Sequence, residues 1–88
     1  MRYLQTEVVT TIATPTVEVT LAGNAANVMI MDTANYRNYQ RGRAFRYFGG
    51  HYDQSPAVIR PPTPGRWHLV VDLGGAAGAL GATFRVVR

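Results

Sequence analysis

Residues 36–48 form the segment whose residue types are best suited to binding chemistry, reading Tyr-Arg-Asn-Tyr-Gln-Arg-Gly-Arg-Ala-Phe-Arg-Tyr-Phe. The segment contains four of the nine arginines and five aromatic residues, and it contains no acidic residue. Arginine side chains present planar donor pairs that fit phosphates and carboxylates, and exposed aromatic rings stack on bases. Both residue types also dominate protein–protein contacts. We therefore predict an interaction surface made of Tyr36, Arg37, Tyr39, Arg41, Arg43 and Arg46.

Three interpretations of this segment differ in what its side chains contact. In the first, which is the commonest role of such residues, the aromatic side chains fill a core and the arginines only face solvent. In the second the segment binds a protein, and in the third it binds nucleic acid. The formal net charge of +4 is modest for a dedicated nucleic-acid-binding protein, so a protein partner is favoured over nucleic acid.

The remaining polar residues do not form the patterns that enzymes use. His51 and His68 are the only histidines, and neither has the spacing of a recognised metal motif. A catalytic triad can be drawn around the sole serine, Ser55, but no motif supports it. The absence of lysine and cysteine excludes Schiff-base chemistry and thiolate nucleophiles, and the glycine-rich residues 74–81 lack both phosphate-loop motifs. We predict no enzymatic activity, no cofactor and no bound metal.

Length and composition limit the chain to one small globular domain over residues 1–88. Chains divide into separate cores only at several times this length, and 47% hydrophobic with 16% charged residues is not a disordered composition. No apolar stretch reaches the length of a membrane span, and no signal peptide is visible. We therefore expect cytoplasmic synthesis and no membrane partner, while the final localisation stays open and includes a virion.

The elements that would position these residues are mostly β-strands. Apolar and polar residues alternate over residues 17–21, 67–73 and 84–87, which is the period of a half-buried strand. Residues 27–32 are apolar on both faces, as in a covered strand. Weaker strand candidates lie at residues 7–12, 44–48 and 56–60. We predict an all-β, jelly-roll-like β-sandwich of about seven to eight short strands.

The same patterns assign faces and boundaries. Asp32 or Thr33 is suited to cap a short helix that Gly42 would end. His68 falls on the polar face of its strand, and the glycine pair at residues 49–50 is predicted to interrupt the chain. The predicted core residues are Trp67, Leu69, Val71, Val19, Leu21 and Ile30.

A combination of short motifs resembles a known bacterial family. The motifs occupy residues 17–28, 31–32, 35–39, 47–50, 55–56, 64–67 and 71–75. Together they are similar to the small family known as the domain of unknown function numbered eighteen eighty-three. The resemblance implies a compact β-sandwich of jelly-roll type that occurs alone or fused to other modules, including TIR signalling domains. It supplies no catalytic residues.

These observations predict a non-enzymatic protein-interaction module that serves as a structural or accessory subunit of a larger assembly. A decoration protein on the capsid of a phage particle is one example. The alternative is a ligand-recognition module for a polyanion, meaning nucleic acid, or for a carbohydrate. Affinity for nucleic acid falls steeply with salt, whereas a sugar site would use an exposed aromatic residue such as Tyr47 or Tyr52.

Overall fold

The computed structural model describes residues 3–23, 25–73 and 80–88, which form two antiparallel sheets and one helix. The sheets have the strand orders β1-β6-β3-β4 and β5-β2-β7, and they pack face to face. The all-β sandwich predicted from the sequence is therefore confirmed. The strands are β1 (Tyr3–Thr10), β2 (Thr16–Gly23), β3 (Ala26–Met31), β4 (Phe48–Tyr52), β5 (Ala57–Ile59), β6 (Gly65–Asp72) and β7 (Leu80–Val87), and the helix is α1 (Thr33–Gln40).

The main core lies between the two sheets, where alternate residues of each strand point inward. Leu69 and Val71 of β6 lie beside Ile30 of β3, and Val19 of β2 faces them from the opposite sheet. All four are at most 4% exposed, which confirms their predicted place in the core. Burial of β-branched and leucine side chains at these alternating positions stabilises the sandwich by about 1.5–3 kcal/mol per side chain.

Trp67 packs at the end of this core and is only partly buried, as is Leu21. The indole N–H of Trp67 donates to the Thr63 carbonyl oxygen at 3.1 Å, and its ring meets Phe48 edge to face at 5.9 Å. Because part of the side chain stays in solvent, we expect Trp67→Ala to lower the free energy of unfolding by about 2 kcal/mol. A fully buried tryptophan would cost about 3–5 kcal/mol.

Urea denaturation measures this difference, with Ile30→Ala as the comparison. Ile30 is 0% exposed, so its truncation is expected to cost more than that of Trp67 although the side chain is smaller. A Trp67→Ala variant that is less stable than Ile30→Ala would contradict this description of the core.

Helix α1 lies over the outer face of the four-stranded sheet, where it covers the central strands β3 and β6. Met29, Met31 and Val70 point to this side and are at most 5% exposed, which confirms β3 as a strand covered on both faces. Asp32 caps the helix by accepting a hydrogen bond from the Asn35 backbone N–H at 2.8 Å, as predicted. Across the described residues, no helix is long and apolar enough to cross a bilayer.

Three local predictions are wrong because packing between elements changes the local environment. Residues 44–48 do not form a strand, since β4 begins only at Phe48. Gly49, predicted with its successor to interrupt the chain, lies inside β4 with a φ of 131°. His68 is 8% exposed and not on a solvated face, because α1 covers it. Most of the glycine-rich connection at residues 74–81 falls outside the described residues.

Candidate interaction site

An apolar cluster holds helix α1 against the outer face of the sheet. Tyr36 and Tyr39 lie on the side of the helix that faces the sheet, and both are half-buried. The ring of Tyr39 meets Phe45 edge to face at 5.2 Å and Tyr3 at 5.1 Å. Such pairs stabilise by about 0.5–1.5 kcal/mol beyond the area that they bury. The full cluster consists of Met29, Met31, Val70, Tyr3, Tyr36, Tyr39 and Phe45.

Asp72 ties the C-terminal half of α1 to the sheet. This carboxylate lies on β6 and is 3% exposed. Its Oδ2 accepts a hydrogen bond from the Tyr39 hydroxyl at 2.6 Å, and its Oδ1 accepts one from the Asn27 side-chain amide at 2.9 Å. The Asn27 side-chain oxygen accepts in turn from His51 Nδ1–H at 3.2 Å. The network joins α1 to strands β3, β4 and β6, so the carboxylate acts as a structural anchor.

His68 ties the start of α1 to β1 and β6. Its Nδ1 accepts a hydrogen bond from Gln5 Nε2 at 2.8 Å, and its Nε2 lies 3.0 Å from Thr33 Oγ1. Because an amide nitrogen only donates, the imidazole is the neutral tautomer with its proton on Nε2, which donates to Thr33. Tyr36 stacks on the ring at 4.6 Å. The side chains of Gln5 and Thr33 therefore occupy both ring nitrogens of His68, which leaves no free lone pair for a metal.

The segment after the helix, residues 41–47, is held to α1 by hydrogen bonds that its backbone N–H groups donate. The Arg46 backbone N–H donates to Asn35 Oδ1 at 2.8 Å, and the Arg43 backbone N–H donates to the Asn38 carbonyl oxygen at 2.9 Å. The Gly42 φ of 69° turns the chain at the end of the helix, as predicted. The arginines of this segment are therefore carried on a fixed backbone.

The hydrogen bonds and burial of the helix tyrosines change their acidity. Burial is the larger cause that raises the pKa of Tyr36 to about 12, and its hydrogen bond with the Tyr3 hydroxyl at 3.2 Å adds to the effect. Burial, followed by the hydrogen bond to Asp72, raises the pKa of Tyr39 well above its ordinary value of 10.0. In the folded protein both hydroxyls stay neutral at a pH where they ionise in the unfolded chain.

We expect the stability of the domain to fall as the pH rises above about 10. The unfolded chain releases these tyrosine protons near pH 10, whereas folded Tyr36 keeps its proton to about pH 12. Their contribution is therefore complete below pH 10 and is lost through the window above it, with a slope of about 1.4 kcal/mol per pH unit for each tyrosine. Urea denaturation across this window measures the slope. The double variant Tyr36→Phe, Tyr39→Phe should flatten it, and an unchanged slope in that variant would contradict the assignment.

The solvent side of α1 and of residues 41–47 carries positive charge without compensating carboxylates. Ion pairs in residues 3–23, 25–73 and 80–88 join other arginines instead, with Arg66 3.9 Å from Glu7 and Arg85 2.7 Å from Glu18. Within these residues the helix and the following segment have no ion-paired arginine. We call this region the arginine surface, and it consists of the exposed residues Arg37, Arg41, Arg43 and Arg46.

The six residues predicted from the sequence thus fall into two groups. The four arginines are exposed, whereas Tyr36 and Tyr39 are turned to the sheet and position the helix. Two aromatic residues of the segment are exposed, Tyr47 at 45% and Phe48 at 43%. Tyr47 directly follows Arg46, and its ring lies 5.6 Å from that of Phe45. The sequence analysis named Tyr47 only as a candidate for a sugar site and did not include it in the interaction surface. Nothing in the sequence of residues 44–48 reveals which aromatic ring faces solvent. Tyr52, the other sugar-site candidate, packs against the core.

The residues weighed for catalysis and metal binding take other roles where the structure describes them. Ser55 Oγ accepts a hydrogen bond from the Leu21 backbone N–H at 2.9 Å. His68 binds Thr33 and Gln5, and His51 binds Asn27. Outside residues 1–2, 24 and 74–79, no group of three or more His, Asp or Glu side chains is placed to hold a metal ion.

Comparison with known proteins identifies the family of the chain. No curated protein and no solved structure matches it. A family model matches residues 1–88, which extends the resemblance from the central motifs to both terminal strands. The chain belongs to the family described as Domain of unknown function (DUF1883).

Proposed function

We propose that this domain is a non-enzymatic protein-interaction module that binds an acidic surface of a protein partner through the arginine surface. The proposal rests on one observation: four exposed arginines occur within ten residues, Arg37 on α1 and the other three in the segment after it, and none of them is ion-paired with a described carboxylate. Guanidinium groups pair with carboxylates through two parallel hydrogen bonds, so an acidic protein surface is the chemistry that they fit best.

The way α1 is attached supports this proposal. Hydrogen bonds from Tyr39 to Asp72 and between Thr33 and His68 hold both ends of the helix on the sheet. A fixed backbone lowers the entropy that a binding surface loses on association. The anchored helix carries Arg37, and the segment hydrogen-bonded to it carries Arg41, Arg43 and Arg46, so the backbone positions of the charges are fixed. A structural or accessory subunit of a larger assembly requires such a fixed surface. A phage decoration protein on a capsid is one such subunit.

A second candidate function, recognition of a polyanion such as nucleic acid, is favoured by Tyr47. Its exposed ring lies beside Arg46 in the chain, and an aromatic residue next to arginines is the arrangement that stacks on single-stranded bases. Acidic protein and nucleic acid are both bound more weakly at high salt, so salt alone does not separate them. Tyr47→Ala separates them, because it removes the stacking ring and leaves every arginine in place.

We expect Arg41→Ala with Arg43→Ala to weaken binding of a labelled polyglutamate peptide by about tenfold at low salt. Loss of two charges at exposed positions should change the free energy of unfolding by no more than about 0.5 kcal/mol. Fluorescence anisotropy measures the affinity of the peptide, and urea denaturation measures the stability.

The matched control is Arg60→Ala with Arg88→Ala, which removes the same charge from exposed arginines outside the arginine surface. This control should retain the affinity of the unsubstituted protein. Equal losses in the two double variants would mean that net charge alone drives binding, which contradicts the proposal. A single-stranded oligonucleotide that binds more tightly than polyglutamate, and loses affinity with Tyr47→Ala, would favour the second candidate instead.

A further inference from the structure

We propose that the side of the sandwich between β1 and β7 is a strand-addition site for an extended segment of a partner polypeptide. The added segment pairs with the outer edge of β1 and carries apolar side chains at alternate positions. This site is on the side of the sandwich, whereas the arginine surface is on α1 and residues 41–47, and neither depends on the other.

The edges of the two sheets differ in how they are protected. On one side of the sandwich the edge strands are β4 and β5. Strand β4 contains Gly49 with a φ of 131°, and β5 has only three residues, with Pro56 directly before it and Pro61 two residues after it. Short strands, prolines and glycines with unusual backbone angles are the features that prevent unwanted strand pairing. On the other side the edge strands are β1 and β7, each with eight residues. Neither contains a proline, and β1 has a single charged residue, Glu7.

An apolar groove of about 240 Å³ lies between these two unprotected edges. Leu69 and Val71 of β6 contribute to its walls, together with Ala82 of β7. Leu4 pairs opposite Val71 and Phe84 pairs opposite Val19, so both side chains point inward with the core residues. They are nevertheless 39% and 40% exposed, so the described residues leave the sandwich open around Leu4 and Phe84, whereas the inward-facing Val8 farther along β1 is 2% exposed.

An extended segment is the occupant whose geometry matches both features. Its backbone would pair with the outward N–H and C=O groups of β1, as in other sheets that accept an added strand. Because side chains alternate along a strand, every second one would point over the groove toward Leu4 and Phe84. Apart from Gln5 and Thr6 the lining is apolar, so these positions require apolar side chains, and the intervening positions lie beside the polar residues Gln5 and Glu7.

A second copy of this chain fits the groove less well. The β1 or β7 strand of the second copy would supply the backbone groups for pairing. The inward side chains of that strand, however, already line the sandwich of the second copy. Pairing two edges would therefore leave both grooves open to water. A separate segment has an unoccupied inner face, which is what the groove between Leu4 and Phe84 requires.

The test uses the full chain and three labelled peptides of eight residues, the length of the β1 edge. The first alternates valine or leucine with threonine and has lysine at each end. The second has the same composition with the apolar residues grouped, and the third is the first with N-methylated backbone amides. Fluorescence anisotropy should show saturable binding of the first peptide and at least about tenfold weaker binding of the other two.

Protein variants locate the binding site. Phe84→Lys should weaken the affinity of the protein for the first peptide by at least about tenfold. Val58→Lys, at an exposed position of the protected strand β5, should leave that affinity unchanged. Hydrogen exchange of the unsubstituted protein gives an independent measurement, since peptide binding should protect amides of β1. The Arg41→Ala, Arg43→Ala variant should bind the peptide normally, which separates this site from the arginine surface.

Three results would overturn the proposal. One is equal binding of the three peptides, or no saturable binding. Another is protection of amides elsewhere without protection of β1. The third is a dimer in sedimentation equilibrium together with hydrogen exchange that shows protected amides in β1 or β7 without peptide. A second copy of the chain would then occupy this side.

Discussion

Replacing Asp72 by alanine is expected to lower the free energy of unfolding by about 3–4 kcal/mol, because the Tyr39 hydroxyl and the Asn27 amide lose their acceptor inside the protein. The carboxylate is 3% exposed, so water does not readily replace it. Urea denaturation measures the loss. Amide hydrogen exchange should show that residues 33–40 lose protection first, since Asp72 anchors their C-terminal end.

Two further variants separate the loss of the Asp72 hydrogen bonds from the loss of side-chain volume. Asp72→Asn keeps the shape and one acceptor oxygen, so it should cost only about 1–2 kcal/mol. Tyr39→Phe removes the hydroxyl alone, and the double variant with Asp72→Ala should lose less than the sum of the single changes. Additive losses, or α1 amides that stay protected in Asp72→Ala, would contradict the anchoring role.

Gly49→Ala is expected to cost about 3 kcal/mol or more, although it adds a single methyl group. A Cβ at this position would overlap the Val28 carbonyl oxygen and lie 3.1 Å from Ile59 Cδ1. The Val28 oxygen belongs to the backbone of β3, which is paired on both sides and is not free to move. The φ of 131° is also one that alanine rarely adopts.

Gly50→Ala is the matched control for this prediction. A Cβ there meets no heavy atom within 4 Å, and the residue is not among the glycines with positive φ. We expect a change of no more than about 0.5 kcal/mol in the free energy of unfolding. If urea denaturation shows similar losses for the two variants, the strain assigned to Gly49 is wrong.

Alternating residues predicted the sandwich well because burial between two sheets repeats every second residue. Val19, Leu69 and Val71 lie at such positions and are all buried. The helix was also predictable, since Asp32 caps its first turn and Gly42 follows its last. These signals are local, so the sequence of one segment is sufficient to recognise them.

The placement of the site residues depended on contacts between distant segments. Tyr36 and His68 are separated by more than thirty residues in sequence, yet their rings stack at 4.6 Å because α1 covers the outer face of the sheet. Alternation in β6 therefore placed His68 on a polar face, where the helix in fact buries it. The segment at residues 36–48 revealed which residue types were present, but only the docked helix determines that the arginines, and not Tyr36 and Tyr39, face solvent.

The central claim, that the arginine surface binds a protein partner, is tested most directly by sedimentation of the tagged chain in an extract of its natural source. The extract is run on a density gradient at low salt, and mass spectrometry identifies the proteins that travel with the chain. We predict that the unsubstituted protein and the Arg60→Ala, Arg88→Ala control sediment with a larger assembly. The Arg41→Ala, Arg43→Ala variant should remain as a free small protein. An unsubstituted chain that sediments alone, or a variant that stays with the assembly, would contradict the claim.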